Sequence, residues 1–168
     1  GMLLGLFENG GVYNHCNAFK IMADCRLGRA EQALSTLHKM IPDSKDNPVS
    51  ITGAEPYLFV NCWCMHPSFF TRIWFGWFTG TSAWALRGFY EGICGLRREY
   101  GGLRVQPCIP GAWKELTLTR TFRGCRYHIH ISNTGSGKPE VTVDGNRLAD
   151  TLLPVLNDGQ IHEVVVRT

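Results

Sequence analysis

The hydrophobic pattern of this 168-residue chain changes period near residue 100, and that change limits the folds open to it. From His15 to Leu27 the apolar residues Phe19, Met22 and Cys25 recur at helical spacing, with Gly28 as a natural stop. Ala30, Ala33, Leu34, Leu37 and Ile41 form a second apolar stripe that Pro42 ends. Thr79-Gly80-Thr81-Ser82 opens a third helix, expected from Ala83 to about Cys94, with Gly95 as its stop. Beyond residue 100 the alternation is two-fold. Leu116 and Leu118 alternate with threonines, and Tyr127, Ile129 and Ile131 with His128 and His130. Val141 and Val143 lead into the hairpin signal Asp144-Gly145, and Val164 and Val166 mark a last strand. The pattern predicts an α+β fold, with a helical segment over residues 1–100 and an antiparallel β domain over 101–168 buried on one face.

Three stretches between the helices read less simply. Residues 43–53 are polar, contain Pro48 and read as loop. Tyr57 to Met65 is apolar on nearly all sides and must be buried; helix is the first expectation and buried strand the rival. Pro67 to Phe78 carries Phe69, Phe70, Trp74, Phe75, Trp77 and Phe78. So many rings suit either a packed wall or a sugar-stacking surface, and core packing is the simpler expectation.

A formal charge of +3, from scattered basic residues, gives no reason to expect nucleic acid or a membrane surface as partner. No apolar run approaches a membrane span, and no basic segment precedes an apolar core as in a signal peptide. Gly1 ahead of Met2 reads as a remnant of tag removal, with Met2 as the natural start. The seven cysteines lie mostly in apolar runs and include no Cys-x-x-Cys pair; Cys62-x-Cys64 has the wrong spacing for a zinc knuckle. Together these features suggest a reduced, cytoplasmic protein with structural thiols, no metal and no bound cofactor.

Glu8-Asn9-Gly10-Gly11-Val12-Tyr13-Asn14-His15 is the densest polar motif. Paired glycines allow the backbone to turn at positive φ and to approach a ligand closely. His15 could hold an anion or be a surface residue; Glu8 could accept from sugar hydroxyls or face solvent. Thr79-Gly80-Thr81-Ser82 could cradle an anion at a helix start, where N–H groups lack partners, or could serve only as a cap. His128 and His130 share a strand face but are too few for a metal site. Asp24, Asp43, Asp46 and Glu55 have no recognisable acid–base context. No P-loop, dinucleotide fingerprint or nucleophile elbow is present.

The ordered set of Glu8 to His15, Glu55-Pro56-Tyr57, Trp77-Phe78-Thr79-Gly80-Thr81 with Trp84, Pro107-Cys108-Ile109-Pro110 with Trp113, and Phe122-Arg123-Gly124 resembles the C-terminal part of the inverting phosphorylases of glycoside hydrolase family 94. That family includes cellobiose and chitobiose phosphorylases, and cyclic β-1,2-glucan synthases carry a related module. The resemblance covers nearly the whole chain. It implies part of an (α/α)6 barrel followed by a β-sandwich-like domain. It also implies chemistry in which an aspartic acid protonates the glycosidic oxygen while inorganic phosphate, a co-substrate, attacks the anomeric carbon from the opposite face. By resemblance, His15, Thr79 and Gly80 match phosphate-binding positions, Glu8 a carboxylate lining the acceptor-sugar site, and Asn61 a sugar-contacting position.

In the family the catalytic aspartate and a phosphate-pairing arginine lie upstream of the glycine-rich motif, so the resemblance assigns no catalytic residue to this chain. The expected partners are a β-linked disaccharide, phosphate, and either further copies of the chain or an upstream barrel fragment, because an open half barrel would expose apolar faces. A folded, oligomeric remnant binding sugar or phosphate without catalysis is the alternative function. A stand-alone carbohydrate-binding sandwich leaves Glu8, His15 and Thr79 unexplained.

Overall fold

The computed structural model describes residues 1–42 and 45–168 and divides into two compact units, Gly1–Phe89 and Tyr90–Thr168. Asp43, one of the carboxylates noted in the sequence, lies outside the described residues.

In the first unit, helix α1 (Asn14–Arg26) turns through Leu27–Arg29 into α2 (Ala30–Met40), and α1 also packs on α4 (Thr81–Arg87). The short α3 (Val49–Thr52) lies in the stretch read as loop. Helix α2 buries Ala33, Leu37 and Met40 along one stripe. Helix α1 buries Asn14, Ala18 and Ile21 instead of the expected Phe19 stripe. Phe19 is exposed and meets the edge of Trp84, ring centroids 4.8 Å apart. Asp24 is almost fully buried and is held by Lys20 at 2.5 Å; Lys20 also donates to Thr36 of α2 at 2.9 Å. One lysine therefore satisfies the carboxylate and ties the helix pair together.

The helical expectation for residues 1–100 is corrected at two places. Tyr57–Met65 is not a helix: it runs as loop into strand β2 (Cys62–Trp63), flanked by β1 (Val12–Tyr13) and β3 (Ile73–Trp74) in an antiparallel sheet. Val60 and Cys62 to Cys64 are buried because β2 is the central strand, which is how a short apolar strand mimics a buried helix, whereas Tyr57 and Met65 are exposed, against the expectation that the whole segment is buried. The expected helix from Ala83 to Cys94 begins at Thr81, ends as α-helix at Arg87 and continues as a π-helical turn, Gly88–Ile93. Core packing of the aromatic stretch is also corrected. Phe69, Phe70, Phe75, Trp77 and Phe78 are exposed, Phe78 by 87%.

The second unit holds two sheets. Strands β4 (Leu96–Arg98), β5 (Leu103–Val105) and β10 (Leu152–Leu153) form one in the order β10-β5-β4. The other comprises β6 (Glu115–Phe122), β7 (Cys125–Ser132), β8 (Glu140–Val143), β9 (Asn146–Arg147) and β11 (Ile161–Arg167), in the order β6-β7-β11-β8-β9. Tyr127, Ile129, Ile131, Val141, Val164 and Val166 fill the core from the larger sheet, and Leu103, Val105 and Leu153 from the smaller. The sheet is not wholly antiparallel, since β11 inserts between β7 and β8 and runs parallel to β7. Alternation specifies which face is buried and is silent on strand direction, so the sequence pattern could not reveal this pair. Asp144 and Gly145, with φ of 48° and 80°, make the hairpin turn between β8 and β9 as the sequence predicts.

One charged cluster fastens this unit. His162, on β11, sits between Asp144 (Nδ1 to Oδ2, 2.8 Å) and Asp158 (Nε2 to Oδ1, 3.1 Å). Its imidazolium donates to both carboxylates, Asp144 first and then Asp158, which raises its pKa above 6.5. Asp144 is held below 3.8 chiefly by His162, and Asp158 chiefly by the Gln160 N–H and then by His162. The raised histidine contributes stability that is complete below 6.5 and is lost as pH rises through its folded value. The lowered carboxylates contribute stability complete above 3.8 and lost as pH falls through theirs. Thermal stability should therefore peak between those limits, and His162→Gln should flatten the profile of Tm against pH.

Candidate functional site

The glycine-rich motif forms a compact turn ahead of α1. Asn9 N–H donates to Leu6 C=O at 2.9 Å, and Gly11 N–H to Phe7 C=O at 2.9 Å. Gly10 adopts φ of 94°, and a Cβ on Gly11 would lie 2.8 Å from the Phe7 backbone. These glycines are used for the turn itself, since the space beside Gly11 is filled by Phe7. Phe7 also adopts positive φ, and its ring packs against Trp74 and Phe75 with centroids 5.4 Å apart. Glu8 is left exposed at the tip of the turn.

The motif leads directly into the site. Tyr13 is the residue before α1 and Asn14 begins it. Asn14 is completely buried; its N–H donates to Asn61 C=O at 2.9 Å and its amide to Val60 C=O at 3.0 Å. Asn61 N–H in turn donates to Phe75 C=O at 3.0 Å. Phe75 has φ of 53°, a strained value for a bulky residue, so the segment before Thr79 is held by its surroundings in that shape. These bonds bring the start of α1, the start of β2 and the loop ahead of α4 to one place.

Four of the five site residues singled out in the sequence meet there. His15 Nε2 lies 3.4 Å from Thr79 Oγ1, and Asn61 Nδ2 approaches the same oxygen at 3.4 Å. Gly80 leaves room for the imidazole, since a Cβ there would stand 3.3 Å from His15 Nε2. Thr79 Oγ1 accepts the Thr81 N–H at 3.1 Å and lies 2.7 Å from Thr81 Oγ1. The helix-start N–H of Thr81 is thus already capped by Thr79. Glu8 stands apart: among the described residues no hydrogen bond or ion pair links it to this cluster. Its carboxylate acts on Cys62, whose thiol pKa is raised first by burial, then by Cys64, with Glu8 adding to the rise.

Three participants were not singled out in the sequence. Tyr13 OH lies 2.8 Å from His15 Nδ1, with ring centroids 4.8 Å apart. Asn14 anchors the helix start, and buried Thr81 supports Thr79. Only the position of Tyr13 two residues before His15 hinted at its role. With Tyr13 donating to Nδ1, Nε2 carries the ring proton and points at Thr79. His15 Nε2–H and Asn61 Nδ2–H then converge on one hydroxyl at distances too long to satisfy either donor. An anion oxygen is the chemistry that such a set of convergent donors accepts.

The remaining candidates have local partners. Glu55 accepts from Trp77 Nε1 at 3.1 Å, beside Tyr57, whose ring lies 6.2 Å from that of Trp77. This exposed aromatic pair with a carboxylate is a surface suited to a sugar face. His128 and His130 both face Glu163, at 3.1 and 3.5 Å. The seven cysteines are free thiols, and burial pushes that of Cys94 up to about 12. Among the described residues no helix is long and apolar enough to cross a membrane.

Comparison with known proteins places this geometry in a family. Residues 1–95, more than half of the chain, match the model of the glycosyl hydrolase 94 superfamily catalytic domain, and residues 96–148 match the glycosyl hydrolase family 65 C-terminal domain. The chain belongs to the glycosyl hydrolase 94 superfamily. It is 37% identical over 171 residues to a solabiose phosphorylase of Paenibacillus borealis, covering 99% of this chain and 22% of that protein. It is 35% identical to a 3-O-beta-D-glucopyranosyl-beta-D-glucuronide phosphorylase of the same organism, over 98% of this chain and 22% of that protein. An N,N'-diacetylchitobiose phosphorylase of Vibrio furnissii is 32% identical, over 84% of this chain and 18% of that protein. The chain thus spans about a fifth of the length of these curated relatives.

Tyr13→Phe tests the order within the cluster. It removes one hydrogen bond, a change of about 1 kcal/mol. The expected outcome is a shift of the His15 ring nitrogens in 15N NMR away from the Nε2–H tautomer, with thermal stability kept. An unchanged tautomer would show that Tyr13 does not orient His15.

Proposed function

We propose that this chain forms the phosphate-binding wall, with part of the acceptor-sugar wall, of a β-glycoside phosphorylase catalytic domain. In this reading the helices α1, α2 and α4 belong to an (α/α)6 barrel. The observation that carries it is the convergence of His15, Asn61, Thr79 and Gly80 in a chain of this family. His15 Nε2–H, Asn61 Nδ2–H and the Thr79 hydroxyl hold the oxygens of inorganic phosphate, and Gly80 lets the anion come close. Phosphate so held would attack the anomeric carbon of a β-linked disaccharide while a carboxylic acid protonates the departing oxygen, giving an α-sugar 1-phosphate and a free sugar. Glu8 and the Tyr57–Trp77 surface would face the acceptor sugar.

The acid is not assigned to this chain. Asp24 is neutralised by Lys20, Glu55 is engaged by Trp77, and Glu8 stands at an exposed turn. The isolated chain is therefore proposed to be inactive, the acid coming from another part of the catalytic domain. The exposed rings of Phe69, Phe70, Trp77 and Phe78 support contact with such a part or with a second copy of the chain.

Incubation of the chain with phosphate and cellobiose, or with N,N'-diacetylchitobiose, should release no sugar 1-phosphate; release would overturn the inactivity. Phosphate should bind with at best millimolar affinity, about 4 kcal/mol. Gly80→Ala fits the local φ of −83° but crowds His15, so the fold should persist while phosphate affinity falls severalfold. Binding unchanged by Gly80→Ala and by His15→Ala would remove the assignment and favour a non-catalytic remnant.

A further inference from the structure

The second unit carries an arginine-lined surface cleft that shares no residue with the His15 cluster. The cleft, of about 620 Å³, is lined by Arg98, Tyr100, Arg120, Phe122 and Arg123, together with Glu99 and Thr121. The one carboxylate on this lining, Glu99, is held by Arg104 through two bonds, at 2.5 and 3.0 Å, and lies below the usual carboxylate range for that reason. Arg98 reaches Glu91 only at 3.9 Å. Among the described residues neither Arg120 nor Arg123 pairs with a carboxylate.

Both of these arginines occupy positions that cost free energy. Arg120 lies on the face of β6 that carries Leu116, Leu118 and Phe122, in register with the fully buried Tyr127. Its Nε is buried with no hydrogen-bond partner, and its guanidinium is 5.9 Å from the centre of the Tyr90 ring. A buried donor left unpaired is destabilising, and a distant cation–π contact offsets only part of that. Arg123 opens the turn between β6 and β7 with φ of 43°, a position that glycine, asparagine or aspartate would take with less strain. It donates to Tyr100 C=O at 2.7 Å and lies over the Phe122 ring at 5.1 Å. Strain and an unpaired donor on the same cleft point to a ligand.

The chemistry of that ligand follows from the lining. Two guanidinium groups with no carboxylate partner among the described residues match a phosphate monoester, which carries close to two negative charges at neutral pH and accepts paired N–H bonds. Tyr100, 97% exposed beside Arg123, offers a flat ring of the kind that packs against a sugar face. The open cleft, of about 620 Å³, has room for a monosaccharide phosphate. We propose that this cleft binds a phosphorylated monosaccharide, with Arg120 and Arg123 on the phosphate and Tyr100 against the sugar ring.

The probes are D-glucose 6-phosphate, inorganic phosphate and D-glucose, titrated into the full 168-residue chain by calorimetry and by NMR of the arginine Nε and tyrosine ring signals. Glucose 6-phosphate should bind at least tenfold more tightly than either other probe, and should shift the Arg120, Arg123 and Tyr100 signals. Arg123→Gln, at an exposed turn, and Arg120→Gln should each weaken binding at least tenfold. Tyr100→Ala should abolish the preference over inorganic phosphate, and His15→Ala should leave the glucose 6-phosphate shifts at Arg123 and Tyr100 intact. Near-UV circular dichroism checks folding, and Arg123→Gln carries the test if Arg120→Gln fails to fold. No binding, binding unaffected by Arg123→Gln, or loss of the Arg123 and Tyr100 shifts with His15→Ala would overturn the site. Equal affinity for phosphate and glucose 6-phosphate would overturn the sugar component.

Discussion

The candidate active-site wall depends on a short run of backbone bonds centred on Asn61. Its N–H is held by Phe75 and its C=O by Asn14, so strand, loop and helix start share one anchor. The fully buried Asn14 side chain adds a bond to Val60 and prevents that helix start from shifting. Without these bonds, His15 and Thr79 are separated by 64 residues of chain and would have no reason to face each other. The bonds are neutral and largely buried, so breaking one leaves a polar group unsatisfied in the interior. The strained Phe75 and the tight glycine turn are consistent with that arrangement, because both are held by packing around Phe7, Trp74 and Phe75.

The two units solve polar burial differently. In the first, polar groups at the candidate site are satisfied only in part, with long donor contacts converging on one hydroxyl. In the second, His162 and its two carboxylates are fully engaged and serve the fold. Arg120 and Arg123 depart from that economy, which is why their cleft stands out from the rest of the β unit. Exposed aromatic rings are concentrated in the first unit, between Phe69 and Trp84. Family membership gives that exposure a context, since the relatives are about five times longer than the region they share with this chain.

Much of this was legible in the sequence. Helical spacing located α1 and α2, alternation located β6, β7, β8 and β11, and Asp144-Gly145 marked its turn. The motif order identified the family and singled out His15, Asn61, Thr79 and Gly80, which the fold then brings together. Three features were not legible. The burial of Val60 and of Cys62 to Cys64 has the same apolar signature in a central strand as in a buried helix. The parallel pairing of β7 and β11 leaves no mark on alternation. The aromatic stretch carries the composition of a core, and whether its rings are covered depends on what packs against it.

The sequence by itself determined the α+β class, the strand faces, the family and the identity of the polar groups at the candidate site. Those follow from local periodicity and residue chemistry, which act over a few positions. The tertiary structure decided which groups meet: Tyr13 behind His15, His15 and Asn61 around the Thr79 hydroxyl, Glu8 apart, and Arg120 and Arg123 on one cleft. The physical reason is that these contacts join residues distant in sequence, or depend on the direction and depth at which a side chain is buried. Neither property is carried by a hydrophobic period.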